Sequence, residues 1–349
     1  MDTRPPNASP RATRREAGLV QRVRASLRRH WPDGSVPRIL VACSGGLDSM
    51  VLTHVLHSLE RVDAISLEIV HVDHGMRGDS GDAAAMVAAY GASLGLPAHS
   101  RRLSQDVLDS HHGTGAEEAL RRERYRVFAE VAARIGADAV ALAHHQRDQA
   151  ETVLLHLMRG SGLQGASGMQ ESSAIRVPWW KSSDNWEEVR LWRPLLSEPY
   201  QEIQSWHRYH GLPVAEDETN EDRQYRRNAI RHDVLPMLES VFPGATGNLA
   251  RFARIAGEDN ATIERFAEQF LPPTGSADLP WETIRHQEFT IQRRVVRRWI
   301  MDGGFEGELT SDRIEAICNL AMRNRSGVRL EIGSGWSVSL RSGVLSLRR

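Results

Sequence analysis

The sequence predicts an α/β protein. A doubly wound parallel sheet forms the N-terminal part, and a smaller, mainly helical C-terminal domain ends in short strands. Three observations lead to this. Residues 38–160 alternate β-rich runs with helical stretches, the order that builds a parallel sheet covered on both faces. The polar stretches Ser44–Ser49, Asp73–His74 and His144–His145 each fall at the carboxyl end of such a run, where ligands bind in these sheets. Residues from about 245 to 325 read as helices, and 328–349 as strands joined by Gly/Ser turns.

The elements follow in order. Residues 1–20, arginine-rich and without an apolar h-region, read as a basic disordered arm entering a helix near Gly18. "RILVAC" (38–43), "LEIVHVD" (67–73) and "DAVALAHH" (138–145) are β-rich, with "PAHSRRL" (97–103) a weaker fourth strand. Helical stretches lie near 48–60, 80–94 and 115–135. Residues 167–188 read as a surface loop carrying exposed tryptophans, and "LWRPLL" (191–196) as strand and turn; the exposed tryptophans of 179–192 suit stacking on unpaired bases, with hydrophobic packing the alternative. The expected organisation is an arm (1–20), a nucleotide-binding domain (21–222), a linker (223–245) and a C-terminal domain (246–349).

Composition narrows the chemistry. Of 349 residues, 40% are hydrophobic and 26% charged, with a net charge of -1, so the chain is long enough for two domains and ordinary for a globular protein. No apolar run is long enough to span a membrane, so no membrane partner is expected. Cys43 and Cys318 are the two cysteines, too few for a disulfide framework or a cysteine-held cluster within one chain. A reducing compartment, the cytoplasm, is expected. Lys181 is the one lysine, so phosphate contacts must come from arginines and backbone amides.

"VACSGGLDSM" (41–50) runs from a strand through a Ser-Gly-Gly turn into a helix. Gly45 and Gly46 let backbone amides close on a phosphate, and Ser49 adds a hydroxyl. Asp48 would repel a phosphate directly, so its expected role is to hold a Mg²⁺ that binds the phosphates. An ordinary capped turn is the simpler alternative. On the helix after His145, Asp148 and Glu151 fall together on the face opposite Ala150, Val153, Leu154, Leu157 and Met158. Two carboxylates facing a cleft suit an ammonium ligand, although a solvated helix face has the same pattern. Glu117, Arg121, Arg124 and Tyr125 share a third helix face, on which Glu117 and Arg121 make an i,i+4 pair. His71, Asp73 and His74 end a strand beside the loop.

"SGGLDS" resembles the Ser-Gly-Gly-x-Asp-Ser loop of the N-type ATP pyrophosphatases, which cleave ATP between the α and β phosphates and need no P-loop lysine. "HVDHGMRGDS" (71–80), "EEALRRERY" (117–125), "AHHQRDQAETVLLHLMRGSGLQG" (143–165), "RPLL" (193–196) and "EDETNEDRQYRRNAIR" (216–231) follow in an order that resembles the tRNA(Ile)-lysidine synthetase family over roughly 38–240. Thr219 stands where that family more often has serine.

The resemblance implies an adenine nucleotide α-hydrolase-like fold and ligation of free L-lysine to carbon 2 of the wobble cytidine in CAU-anticodon tRNA(Ile), with ATP and Mg²⁺. It implies that Ser44, Gly45, Gly46, Leu47, Asp48, Ser49, His71, Asp73 and His74 hold the nucleotide, with the metal at Asp48. Arg121 would neutralise phosphate charge in adenylation, and Asp148 and Glu151 would bind lysine. The expected tRNA contacts are Arg226, Arg227 and Arg231, beside Arg223, and Arg293, Arg294, Arg297 and Arg298 around "TIQRRVVRRWI" (290–300). Such rows also serve only to solubilise. A homodimer is one of the arrangements left open. The rival readings are a tRNA thiolase on the same loop, an adenine-nucleotide sensor without catalysis, and an amide-forming synthetase acting on a small molecule.

Overall fold

The computed structural model describes residues 10–63, 65–73, 80–104, 115–176, 188–215, 226–305, 307, 309–323 and 327–349. The chain divides into two compact units, Met1–Ile255 and Ala256–Arg349.

Strand β1 (Arg38–Ala42) lies inside the first unit because it is apolar on both faces. Ile39 and Val41 enter one core and Leu40 enters the other, as expected of a parallel strand covered by helices on both sides. Strands β2 (Ser66–Asp73) and β4 (Ala139–Ala141) flank β1 in parallel. β3 (Ala98–Arg102) adds to β2, and β6 (Glu188–Trp192) adds to β4, again in parallel. β5 (Ser172–Arg176) closes one edge antiparallel to β6, giving the order β3-β2-β1-β4-β6-β5.

One face packs against helices α1 (Pro10–His30), α2 (Leu47–Asp63), α3 (Ser80–Leu94) and α6 (Tyr200–His210) through Leu19, Val23, Met50, Val55, Val87, Ile203 and Trp206. On the other, α4 (Ala116–Ile135) lays Val127, Phe128 and Val131 over Leu40, Val70 and Val140. Helix α5 (Gln146–Met158) leaves the carboxyl end of β4. Beyond it, α7 (Arg226–Ala229) continues through a π-helical turn (Ile230–Val234) into α8 (Leu235–Val241). Ile230 and Leu235 pack on Ala150 of α5. The stretch read as a linker is therefore helical from Arg226.

Several expectations need correction. Helix α1 begins at Pro10, ahead of the expected start near Gly18. Part of the expected surface loop is strand β5, which satisfies its backbone on β6. Trp192, grouped with the exposed tryptophans, is wholly buried and donates its indole N–H to Ser26 Oγ at 2.9 Å. Trp179, Trp180 and Trp186 lie outside the described residues. Met158, placed on the apolar face of α5, is 78% exposed at the helix end.

In the second unit, β7 (Asp278–Pro280), β8 (Arg329–Gly333), β9 (Trp336–Arg341) and β10 (Val344–Arg348) form an antiparallel sheet in the order β7-β10-β9-β8. It packs with α10 (Phe289–Asp302) and α11 (Ser311–Met322) around Val295, Val296, Trp299, Ile300, Ile317, Val338 and Leu345. The inward face expected of α10 is the one observed. Helix α9 (Ala245–Glu268) runs through the boundary between the units. Among the described residues no helix is long and apolar enough to cross a membrane.

Candidate active site

The loop after β1 is held open by its own serines. Ser49 Oγ donates to the Gly46 carbonyl at 2.9 Å, accepts from the Ser44 amide at 3.2 Å and lies 3.2 Å from Ser44 Oγ. These bonds tie both ends of the turn to the first turn of α2, so the loop is arranged before any phosphate arrives. Gly45 has φ +90°, a conformation that L side chains rarely adopt. A Cβ there would lie 3.2 Å from Met86 and 3.4 Å from Val87. The Gly45 carbonyl accepts from the Ala215 amide at 3.0 Å. Leu47 starts α2 and packs against the core.

Beside the loop, buried His71 places Nδ1 2.9 Å from the Cys43 carbonyl. A carbonyl only accepts, so Nδ1 carries the proton. His71 thus braces the strand end that bears the loop. Asp73 ends β2, buried, with Arg102 Nε 3.7 Å from its carboxylate. His74 lies outside the described residues.

The acidic helix meets the loop through His145, which the sequence placed at a ligand-binding strand end without giving it a role. His145 caps α5: its Nδ1 accepts from the Arg147 amide at 3.2 Å, and its own amide donates to Asp148 Oδ2 at 3.0 Å. Nε2 then faces two carboxylates, Asp48 at 3.5 Å and Asp148 at 3.4 Å. Burial works against an imidazolium here, but the bond to Asp48 and the charges of Asp148 and Asp48 outweigh it and raise the pKa of His145. Burial also opposes the Asp148 carboxylate, yet the charges of His145 and Arg227 hold it below the usual range. The signal for His145 was its position as the residue immediately before the helix.

Asp148 and Glu151 are both buried and lie together, but they face arginines. Arg231 donates Nε to Glu151 Oε1 at 2.6 Å and Nη2 to Asp148 Oδ1 at 3.0 Å. Arg227 donates Nε to Glu151 Oε2 at 2.8 Å. Arg147 donates to the Arg231 carbonyl at 2.6 Å, which secures the π-helical turn that carries Arg231. Arg227 and Arg231, expected on an RNA-facing row, therefore have their guanidinium groups engaged inside the first unit. Arg226 is exposed, and Arg223 lies outside the described residues.

The remaining arginines divide similarly. On α10, Arg293 pairs with Glu315 at 2.8 Å, Arg294 with Glu264 and Arg298 with Asp302 at 3.0 Å, while Arg297 donates to the Leu309 carbonyl at 2.9 Å. Each has a partner within the second unit. Arg121 is exposed, pairs with Glu118 at 3.2 Å and lies 5.5 Å from the centre of the Tyr125 ring. The expected pairing with Glu117 involves a side chain outside the described ones.

Asp48 Oδ1 is buried with no hydrogen-bond partner among the described residues. A hard cation would satisfy that oxygen, and Mg²⁺ is commonly held by one or two carboxylates together with substrate phosphates. Among the described residues no group of three or more His, Cys, Asp or Glu comes together for a metal, so a dedicated protein cage is not what the donors offer. The donor set fits Mg²⁺ brought with a nucleotide.

The PP-loop domain family matches residues 19–238. A tRNA(Ile)-lysidine synthase of Geobacter sulfurreducens is 33% identical over 322 residues, covering 90% of this chain and 65% of that protein. One of Symbiobacterium thermophilum is 34% identical over 340 residues, covering 93% of this chain and 68% of that protein. The chain thus spans less than two thirds of the length of the first. Among solved structures, a U34-tRNA thiolase of Methanococcus maripaludis with a [4Fe-4S] cluster superposes with TM-score 0.53 at 17% identity, over 69% of this chain and 79% of that one. That likeness is one of fold. With relatives 33% and 34% identical over 90% and 93% of its length, the chain belongs to the tRNA(Ile)-lysidine synthase family, and its first unit carries the PP-loop domain.

Proposed function

We propose that the protein ligates free L-lysine to carbon 2 of the wobble cytidine of CAU-anticodon tRNA(Ile), consuming ATP and releasing AMP and pyrophosphate. One observation carries this reading. A preformed amide cradle and a buried pair of carboxylates lie at the ends of neighbouring parallel strands, β1 and β4, with His145 between them.

In the first step the cytidine O2 attacks the α-phosphorus of ATP, and the bond to the bridging oxygen breaks with pyrophosphate leaving. The amides of Gly45, Leu47 and Asp48, rather than those of Ser44, Gly46 and Ser49 that bond within the turn, stabilise the charge that collects on pyrophosphate at the N-terminus of α2. Asp48 would hold Mg²⁺, which supplies charge neutralisation to the phosphates. Arg121 is a candidate for the same task on the exposed side. In the second step the lysine ε-nitrogen attacks carbon 2 and AMP departs with O2. The amine must lose a proton to attack, and Asp148 or Glu151 accepts it. For lysine to reach these carboxylates, the guanidinium groups of Arg227 and Arg231 must give way or share them. The RNA partner would meet exposed Arg226 and the outer face of α10. The cytoplasm suits such a substrate.

A thiolase reading lacks its reactive sulfur. Cys43 is buried and burial pushes its thiol pKa up, while burial raises Cys318, in the other unit, to about 12.

The test is incorporation of radiolabelled lysine into CAU-anticodon tRNA with Mg-ATP, by wild type and Asp48→Ala. Label with wild type and a loss of two orders of magnitude or more in the variant is expected, about 3 kcal/mol of transition-state stabilisation. Pyrophosphate release on tRNA without lysine label would retain the activation step and reject lysine as the nucleophile. Pyrophosphate release without RNA would point to the small-molecule synthetase instead.

A further inference from the structure

The phosphate loop and the acidic helix meet at the imidazole of His145, and the plane of that ring is set from helix α6. The last torsion of a histidine is soft, so its neighbours decide how the ring is turned. The Arg147 amide donates to Nδ1 at 3.2 Å and pins one edge. A bond at one edge still lets the ring tilt about it. Tyr200 removes that freedom, because its ring stacks on the imidazole with centroids 5.0 Å apart and planes 28° from parallel.

Tyr200 is itself held from several sides. It is half-buried and begins α6, directly after Pro199. Gln204, one turn on, bonds to its phenol, and the Arg147 guanidinium lies 5.9 Å from the ring centre. The turn before it is clamped as well. Buried Glu198 receives Arg22 Nε at 2.9 Å and Arg22 Nη2 at 2.7 Å, and its carbonyl accepts from the Gln146 amide at 3.1 Å. Gln146 follows His145 in the chain, so this turn grips the start of α5 through backbone and ring together. Ile203 and Trp206 carry the packing of α6 on the core. The Tyr200 ring thus serves His145 rather than the core.

The consequence falls on Asp48. With the ring in this plane, Nε2 lies 3.5 Å from Asp48 Oδ2 and 3.4 Å from Asp148 Oδ2. Asp148 also accepts from the His145 amide at 3.0 Å and from Arg231 at 3.0 Å, so it is fixed whatever the imidazole does. On Asp48, His145 occupies Oδ2, and Oδ1 is buried with no hydrogen-bond partner among the described residues. A carboxylate free to turn presents either oxygen to a cation, whereas one tied through Oδ2 presents Oδ1. Ordering a ligand before its metal arrives lowers the cost of binding.

We propose that Tyr200 is a positioning residue for the metal that accompanies the nucleotide. By fixing the plane of His145 it ties Asp48 Oδ2 and leaves Oδ1 to the cation. This rests on the reading that Asp48 holds Mg²⁺ with ATP. The effect is confined to the metal-dependent part of ATP binding.

The test measures ATP affinity calorimetrically on the full chain without tRNA or lysine, once with Mg²⁺ and once with EDTA in its place. The ratio of the two affinities reads the metal, and the stoichiometry reports any misfolded fraction separately. Wild type should bind at least about tenfold tighter with Mg²⁺, and Tyr200→Leu should lose most of that ratio, about the worth of one hydrogen bond to a charged group. Tyr200→Phe keeps the ring and should keep the ratio. In a His145→Gln background Tyr200→Leu should change nothing further, because it acts through the imidazole. A ratio untouched by Tyr200→Leu, lost equally in Tyr200→Phe, or lowered additively with His145→Gln overturns the proposal. A measurement that needs no variant is the nuclear Overhauser contact between the Tyr200 and His145 ring protons in the metal-free wild type. It should be present, and its absence overturns the stack itself. Failure of the underlying reading looks different: wild type then binds ATP equally with and without Mg²⁺, and the proposal falls with it.

Discussion

Replacing Glu151 by glutamine takes the charge from a wholly buried carboxylate that receives Arg231 Nε at 2.6 Å, Arg231 Nη2 at 3.1 Å and Arg227 Nε at 2.8 Å. Glutamine keeps the volume and one accepting oxygen, but its amide N–H groups then face guanidinium donors. Arg227 is 40% exposed in its side chain, so water takes over much of its loss, and its share is about 0–1 kcal/mol. Arg231 is 23% exposed and keeps Asp148 as its paired carboxylate, with the charge of Asp48 acting from farther off. Removing one member of a buried pair costs about 3–5 kcal/mol, because the other charge stays behind. With a urea slope of about 3 kcal/mol per molar, the midpoint should fall by about 1–1.7 M. The two units can unfold separately, so hydrogen exchange at the α5 amides identifies the transition that moves. The double variant Glu151→Gln/Arg231→Met should lose less than the sum of the single variants. A fall below about 1 kcal/mol, or strict additivity, would refute the argument that Glu151 neutralises Arg231 in a desolvated site.

Two further outcomes follow from the loop and from the helix that leaves the first unit. Gly45→Ala forces a side chain into positive φ beside Met86 and Val87, and should cost about 1–2 kcal/mol and raise the KM for ATP. Unchanged thermal stability and KM would show that the turn does not need glycine. Glu239 accepts from the Gly244 and Thr246 amides at 2.8 Å each, and bonds to Thr246 lower its pKa from 4.5. A depressed carboxyl stabilises above its unfolded pKa, and that stability is lost as pH falls through the folded value. Glu239→Gln should therefore flatten the Tm profile below about pH 4.5. An unchanged acid limb would remove Glu239 from the account.

How far the molecule could be read from its residues depends on the range of each interaction. The phosphate loop was legible because its cause is local: a buried strand, glycines for the turn and Ser49 at the start of a helix all lie within ten residues of one another. The parallel order was legible because strands buried on both faces keep an apolar run, and α10 because its inward face repeats with the helical period. Asp148 and Glu151 were found as a pair because one turn of helix brings them together. Their partners were not. Arg227 and Arg231 lie 76 and 80 residues from Glu151, and an arginine row reads the same whether it meets phosphates or carboxylates. Strand β5 and buried Trp192 escaped for a similar reason. An edge strand needs only a neighbour to supply hydrogen bonds, and a tryptophan in a polar stretch gives no sign of Ser26 on the helix that packs over it. The sequence by itself determined the phosphate loop, the doubly wound order and the acidic helix, since each rests on short-range sterics or periodicity. Only the tertiary structure decided which charges meet, because the cost of burying a charge depends on everything folded around it.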